Sequence, residues 1–160
     1  MCDRMKVGYA LIVSGILFFS ACTGDPYLSS YTSSKPNEGD MIGTWTPNSA
    51  TLKDMSQRGG YDTSKSIPKL IVRADGRIDL LDMPDWWLDP FGRSSHTIRS
   101  DFGTWKLKQH GDKAWWELSL DLRDQGGRIV QLRGERPPYS IHFTLGDPDE
   151  GDAMVFLRTE

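Results

Sequence analysis

An all-β domain of about eight antiparallel strands is predicted for residues 41–160, and three features of the sequence predict it. Two stretches alternate apolar and polar residues. Trp116, Leu118, Leu120 and Leu122 share one face of 114–122, and Tyr139, Ile141, Phe143 and Leu145 share one face of 139–145. A period of two is the signature of a half-buried strand. Turn chemistry separates the apolar runs at Asp75-Gly76, Gly111-Asp112 and Gln125-Gly126-Gly127, and Asp-Gly is the strongest short hairpin signal. Nearly every connection is short, so consecutive strands are expected to pair as a meander.

Taken in order, the first strand covers 43–46. Asn48 and Ser49 then cap one short helix, with Leu52 and Met55 on its apolar face and Gly59-Gly60 as its stop. Strands follow at 69–74 and 77–83 around the Asp75-Gly76 turn, then at 102–108, 114–122 and 128–134. Pro137-Pro138 ends that last strand because proline cannot join a central ladder. Strands at 139–145 and 153–158 complete the set. Eight strands remove their exposed edges by closing into a barrel. Its interior is just wide enough for packed side chains or one small ligand. A two-sheet sandwich is the alternative. Roughly 120 residues are enough for one core, hence one domain.

The residues before this domain carry an address. Arg4 and Lys6 precede an apolar run from Val7 to Phe19, and the small residues Ser20 and Ala21 follow. The run is shorter than the roughly 20 residues of a membrane span and matches the core of a secretory signal, so 1–21 reads as a leader. Met5 would make a cleaner start than Met1. The chain has two cysteines, Cys2 and Cys22. Loss of the leader leaves Cys22 alone, with no internal disulfide possible. Phe19-Ser20-Ala21-Cys22 resembles the lipobox of bacterial lipoproteins. The resemblance implies a diacylglyceryl group on Cys22, cleavage before it, and a membrane-anchored product. Stable anchoring takes two acyl chains or more. Ordinary secretory cleavage after Ala21 is the alternative. By the same resemblance, Thr23 after the cysteine implies the outer membrane, facing the periplasm, in a Gram-negative host. Residues 22–40, rich in Ser, Thr, Gly and Pro, read as a lipidated tether in which Tyr27, Leu28 and Tyr31 alone are suited to docking.

The formal net charge is −3 and the pI near 5.6. No basic run or stripe is present, which excludes a nucleic-acid partner of the usual kind. Gly43-Thr44-Trp45 opens the domain and recurs as Gly103-Thr104-Trp105. A Gly-x-Trp at the first strand resembles the lipocalin and wider calycin signature, which implies a barrel with the Trp packed across one end. The chain is also similar to small bacterial lipoproteins of unknown function that share Gly-Thr-Trp and Gly-Asp-Pro-Asp stretches.

The segment from Met83 to Asp101 is an unusually long connection carrying Trp86, Trp87 and Phe91. Long loops in compact domains tend to bind something; these aromatics either cover a barrel mouth, plug it as core, or face a partner. Asp82, Asp85, Asp89, His96 and Asp101 crowd the same region without a ligand spacing. The acidic 146–152 tract lacks the pattern of a calcium loop. Neither is expected to hold a metal. No nucleophile elbow, phosphate loop or paired-His motif is present, and no thiol stays free, so the domain is expected not to be an enzyme and to need no cofactor. The expected role is a lipid-anchored envelope protein holding a small apolar or amphipathic ligand. Trp105, Trp116 and Phe143 would line the cavity and Trp86, Trp87 and Phe91 its mouth. The alternative is a protein-interaction module or hydrolase inhibitor that presents Trp86, Trp87 and Phe91 as an exposed patch.

Overall fold

Eight strands each pair with the next in the chain, and the last pairs with the first. They are β1 (Gly43–Pro47), β2 (Lys69–Val72), β3 (Arg77–Pro84), β4 (Ile98–Gln109), β5 (Trp116–Leu122), β6 (Gly126–Arg133), β7 (Ser140–Thr144) and β8 (Ala153–Arg158). The computed structural model describes residues 31–111 and 115–159; the leader and Cys22 lie outside the described residues. Every pairing is antiparallel, and Pro47 opposite Phe156 joins β1 to β8, so the meander is a closed barrel and not a sandwich.

Alternation places the core. Trp45, Leu70, Val72, Ile78, Leu80, Leu118, Leu120, Leu122, Val130, Leu132, Ile141, Phe143, Met154 and Phe156 are each at most 3% exposed. Trp45 is fully buried at one end, where its indole Nε1 donates to the Met41 carbonyl at 2.9 Å. Met41 ends a one-turn helix, α1 (Glu38–Met41), that lies under this end and is itself fully buried.

The second Gly-Thr-Trp has a different reason to exist. β4 is the corner strand: its first half pairs with β3 and its second with β5, overlapping only at Gly103 and Thr104. A Cβ on Gly103 would lie 2.0 Å from the Asp121 carbonyl oxygen, so only glycine lets the strands meet there. Trp105 next folds inward, and its Nε1 donates to the Arg73 carbonyl at 3.0 Å.

The helix after β1 forms as the capping residues predict. α2 (Ser49–Gln57) starts at Asn48, whose side chain accepts from the Thr51 N–H at 2.8 Å. Its buried residues are Thr51 and Met55, with Leu52 only partly buried. Thr51 takes the inner position because its Oγ1 accepts the Val155 N–H at 2.9 Å.

Two features differ from the pattern expected of the sequence. The connection after β3 is shorter, because pairing resumes past a bulge with Met83 opposite Arg99 and Pro84 opposite Ile98. Asp82 sits in that bulge at φ +53°. And residues 31–40, within the stretch read as a tether, run against the barrel. Trp116 N–H donates to the Thr32 carbonyl at 2.8 Å, and Thr32 N–H to the Leu132 carbonyl at 3.2 Å. This strap thus fills the gap between β5 and β6 beyond their last paired residues. Tyr31 is 8% exposed, stacked on Trp115 at 4.8 Å, with the Arg133 guanidinium 4.9 Å from its ring. Aromatic area of that size supplies the free energy to order a polar segment.

Candidate functional site at the loop end

The end of the barrel opposite the strap is closed by α2, a 3-10 turn at Asp85–Leu88, the loop at 89–97 and the turn at 145–152. Pro84 ends β3 and starts the 3-10 turn, because it supplies no N–H and its fixed φ suits a helix start. That turn throws Trp86 and Trp87 inward. Trp86 is 3% exposed, and its Nε1 donates to the Gly92 carbonyl. The Arg58 guanidinium lies 5.6 Å from its ring centroid, and Arg58 also pairs with Asp152 at 2.6 Å. Trp87 meets Phe143 edge-on at 4.9 Å, and Phe143 meets Phe156 at 5.3 Å. These three rings plug the barrel. The Trp87 Nε1 is buried without a hydrogen-bond partner among the described residues.

Beyond the plug the loop turns outward. Phe91 is 73% exposed, with the Arg93 guanidinium 4.9 Å from its ring. Arg93 is in turn held by Asp89 at 3.2 Å. Gly92 and Gly146 let this loop rest on the 145–152 turn. Both have positive φ, +63° and +68°, and a Cβ on Gly92 would stand 3.1 Å from the Gly146 nitrogen. A side chain on either would push the loops apart.

A polar staple fixes the loop from beneath. The Tyr61 hydroxyl donates to Asp85 Oδ1 at 2.5 Å, and the Ser95 hydroxyl donates to Oδ2. Burial alone raises the Asp85 carboxyl, but the bonds from Ser95, Tyr61 and the backbone outweigh it and hold the group below its usual range. Burial, then the bond to Asp85, pushes Tyr61 up to about 12. His96, at φ +61°, contacts the Gly59 carbonyl through Nδ1 at 2.8 Å, and Ser94 Oγ donates to the same carbonyl at 2.9 Å.

The acids of this region therefore have separate structural jobs. Asp85 staples the loop and Asp89 holds Arg93. Asp101 is 5% exposed and accepts from the N–H groups of Phe102 and Asp124. Among the described residues no group of three His, Cys, Asp or Glu side chains is placed to hold a metal ion. The other histidines are outside this site. His110 Nδ1 lies 2.8 Å from the buried Glu117. Burial, with Arg133 adding to it, lowers His142 to about 4, and Ser140 Oγ contacts its Nε2 at 2.9 Å.

Of the six residues predicted to bind a ligand or partner, the structure brings Trp87 and Phe143 into contact and buries Trp86 near Tyr61 and Arg58. Phe91 stands outside. Trp105 lies toward the strap end, and Trp116 is half-buried there, with Lys35 5.5 Å above its ring. Sequence reasoning missed Arg58, Tyr61 and Ser95. The only local signal was an aromatic directly after Gly59-Gly60. It also missed a groove of about 370 Å3 on the outer wall, lined by Ser64, Lys65, Ser66, Ile67, Lys69, Leu81 and Asp82.

No protein-family model, curated protein or solved structure matches the chain.

Proposed function

We propose that this chain is an exported, lipid-anchored envelope protein whose barrel is a rigid mount for recognising another protein at its loop end. Phe91 and Arg93 form the centre of the contact. One observation carries the reading: the barrel's own rings fill the interior, while a large aromatic on a stapled loop stands 73% in water. Interface cores are enriched in aromatic residues and arginine, and a loop held by the Asp85 staple loses little freedom on binding. The anchor rests on the leader and on Cys22, which has no other evident role after processing.

Two experiments test the two parts. Cys22→Ser should move the protein from the membrane to the soluble fraction and abolish lipid labelling; continued lipid labelling would refute the anchor. A benzophenone residue replacing Phe91 should give one discrete cross-linked species in cells, whereas one replacing Ile129, exposed on the barrel wall, should not. Equal or absent cross-linking at both would refute the loop-end contact.

A second reading, a small apolar or amphipathic ligand inside the barrel, is favoured in its amphipathic form by the unpartnered Trp87 Nε1, which would donate to an acceptor on that ligand. It requires Trp87 to swing out and the ligand to take its place against Phe143.

A further inference from the structure

The geometry points to a fixed stance on the membrane: the barrel stands with its strap end on anionic lipid headgroups and its loop end directed away. This rests on the proposed anchor at Cys22. Nine residue steps separate Cys22 from Tyr31. At about 3.3–3.6 Å per residue, they reach at most about 30 Å. Tyr31 and Thr32 are not free to add to that reach. They are held by the bonds to β5 and β6 and by the rings of Trp115 and the cation of Arg133.

The barrel wall is roughly 20 Å tall, from strands of this length at about 3.3 Å per residue with the tilt of a closed barrel. Facing the loop end to the lipid would stretch the whole reach along the wall and past the loops. Facing the strap end to it costs no such extension.

Charge points the same way. The strap rim carries Lys35, Arg133, Arg136 and Arg158, against Glu38, Asp40 and Glu135. The part-exposed rings of Trp115 and Trp116 lie beside these cations, and aromatic residues with Lys and Arg are the groups that settle at headgroup level. The far end carries Asp89, Asp147, Asp149, Glu150 and Asp152 against Arg58 and Arg93, each of which is paired with one of these acids. An anionic surface repels that turn and attracts the rim.

The test supplies the anchor chemically, so its outcome does not depend on lipidation in the cell. The mature chain is coupled through Cys22 to a maleimide lipid, in vesicles of phosphatidylethanolamine and phosphatidylglycerol with acceptor dye on the headgroups. A clickable donor dye replaces Glu135 on the strap rim or Asp149 on the loop-end turn. Energy transfer should be several-fold greater from position 135 than from 149. Lys35→Glu with Arg136→Glu should narrow the difference, as should thirty Gly and Ser residues inserted after Ser30. Equal transfer from the two positions in the unaltered chain, or greater transfer from 149, would overturn the stance. The proposed anchor falls instead if Cys22→Ser leaves lipid labelling in cells intact.

Discussion

The two ends of the barrel are both closed with aromatic rings, but they spend those rings differently. Among the described residues, the large rings at the strap end are each engaged: Trp45 under Met41, Tyr31 on Trp115, and Trp116 beneath Lys35. At the loop end Trp87 joins the plug, Trp86 is buried beneath Arg58, and a third loop ring, Phe91, is left in water on a loop fastened from below. Closure does not require Phe91, since Trp87, Phe143 and Phe156 already meet. The difference separates a region that holds the fold from one that holds a surface feature in place. Substitutions at the two ends should divide accordingly.

The largest effect should come from Trp45→Ala. It removes a fully buried indole and the bond to Met41, at a cost of about 3–5 kcal/mol measured by chemical denaturation. Tyr31→Ala should follow at about 2–3 kcal/mol, because the ring is buried between Trp115 and Arg133 and the strap is fastened through it. A stability change below about 0.5 kcal/mol would mean that the strap merely rests on the barrel.

His142 gives a pH-dependent comparison. Its folded value of about 4 lies below the ordinary 6.5, so the unfolded chain binds the extra proton between those limits. Its contribution is complete above pH 6.5 and is lost as pH falls toward 4, on the order of 3 kcal/mol. His142→Gln should flatten the stability profile in that window. Tyr61→Phe at the other end should cost about 1–2 kcal/mol by removing a donor to a carboxylate. It should also remove stability that the parent loses above pH 10, where the raised hydroxyl ionises later than in the unfolded chain. Smallest of all, Phe91→Ala should change stability by no more than about 0.5 kcal/mol.

The strands were legible in the sequence because alternation is a local signal. All eight appear near their expected positions, with Asn48 as helix cap and Asp75-Gly76 as turn. The sequence left barrel and sandwich both open, and the β1–β8 pairing decides between them. Contacts between distant segments were not legible. Nothing in the composition of 22–40 shows that Tyr31 will meet Trp115 and Arg133, and nothing near Asp82 shows the bulge that extends β3 to Pro84. The plug was only half legible: Trp86, Trp87 and Phe91 stood out as a group, but period-two reasoning stops at Pro84. Which ring turns inward is set by the 3-10 turn and by the Gly92–Gly146 contact.

In the proposed function the barrel's own side chains occupy its interior and recognition takes place outside it. The most direct measurement is native mass spectrometry of the mature chain extracted gently from membranes. The expected mass equals the polypeptide and its acyl groups, unchanged across extraction conditions. A stoichiometric additional small molecule, retained by the parent and lost on Phe143→Trp, would contradict it.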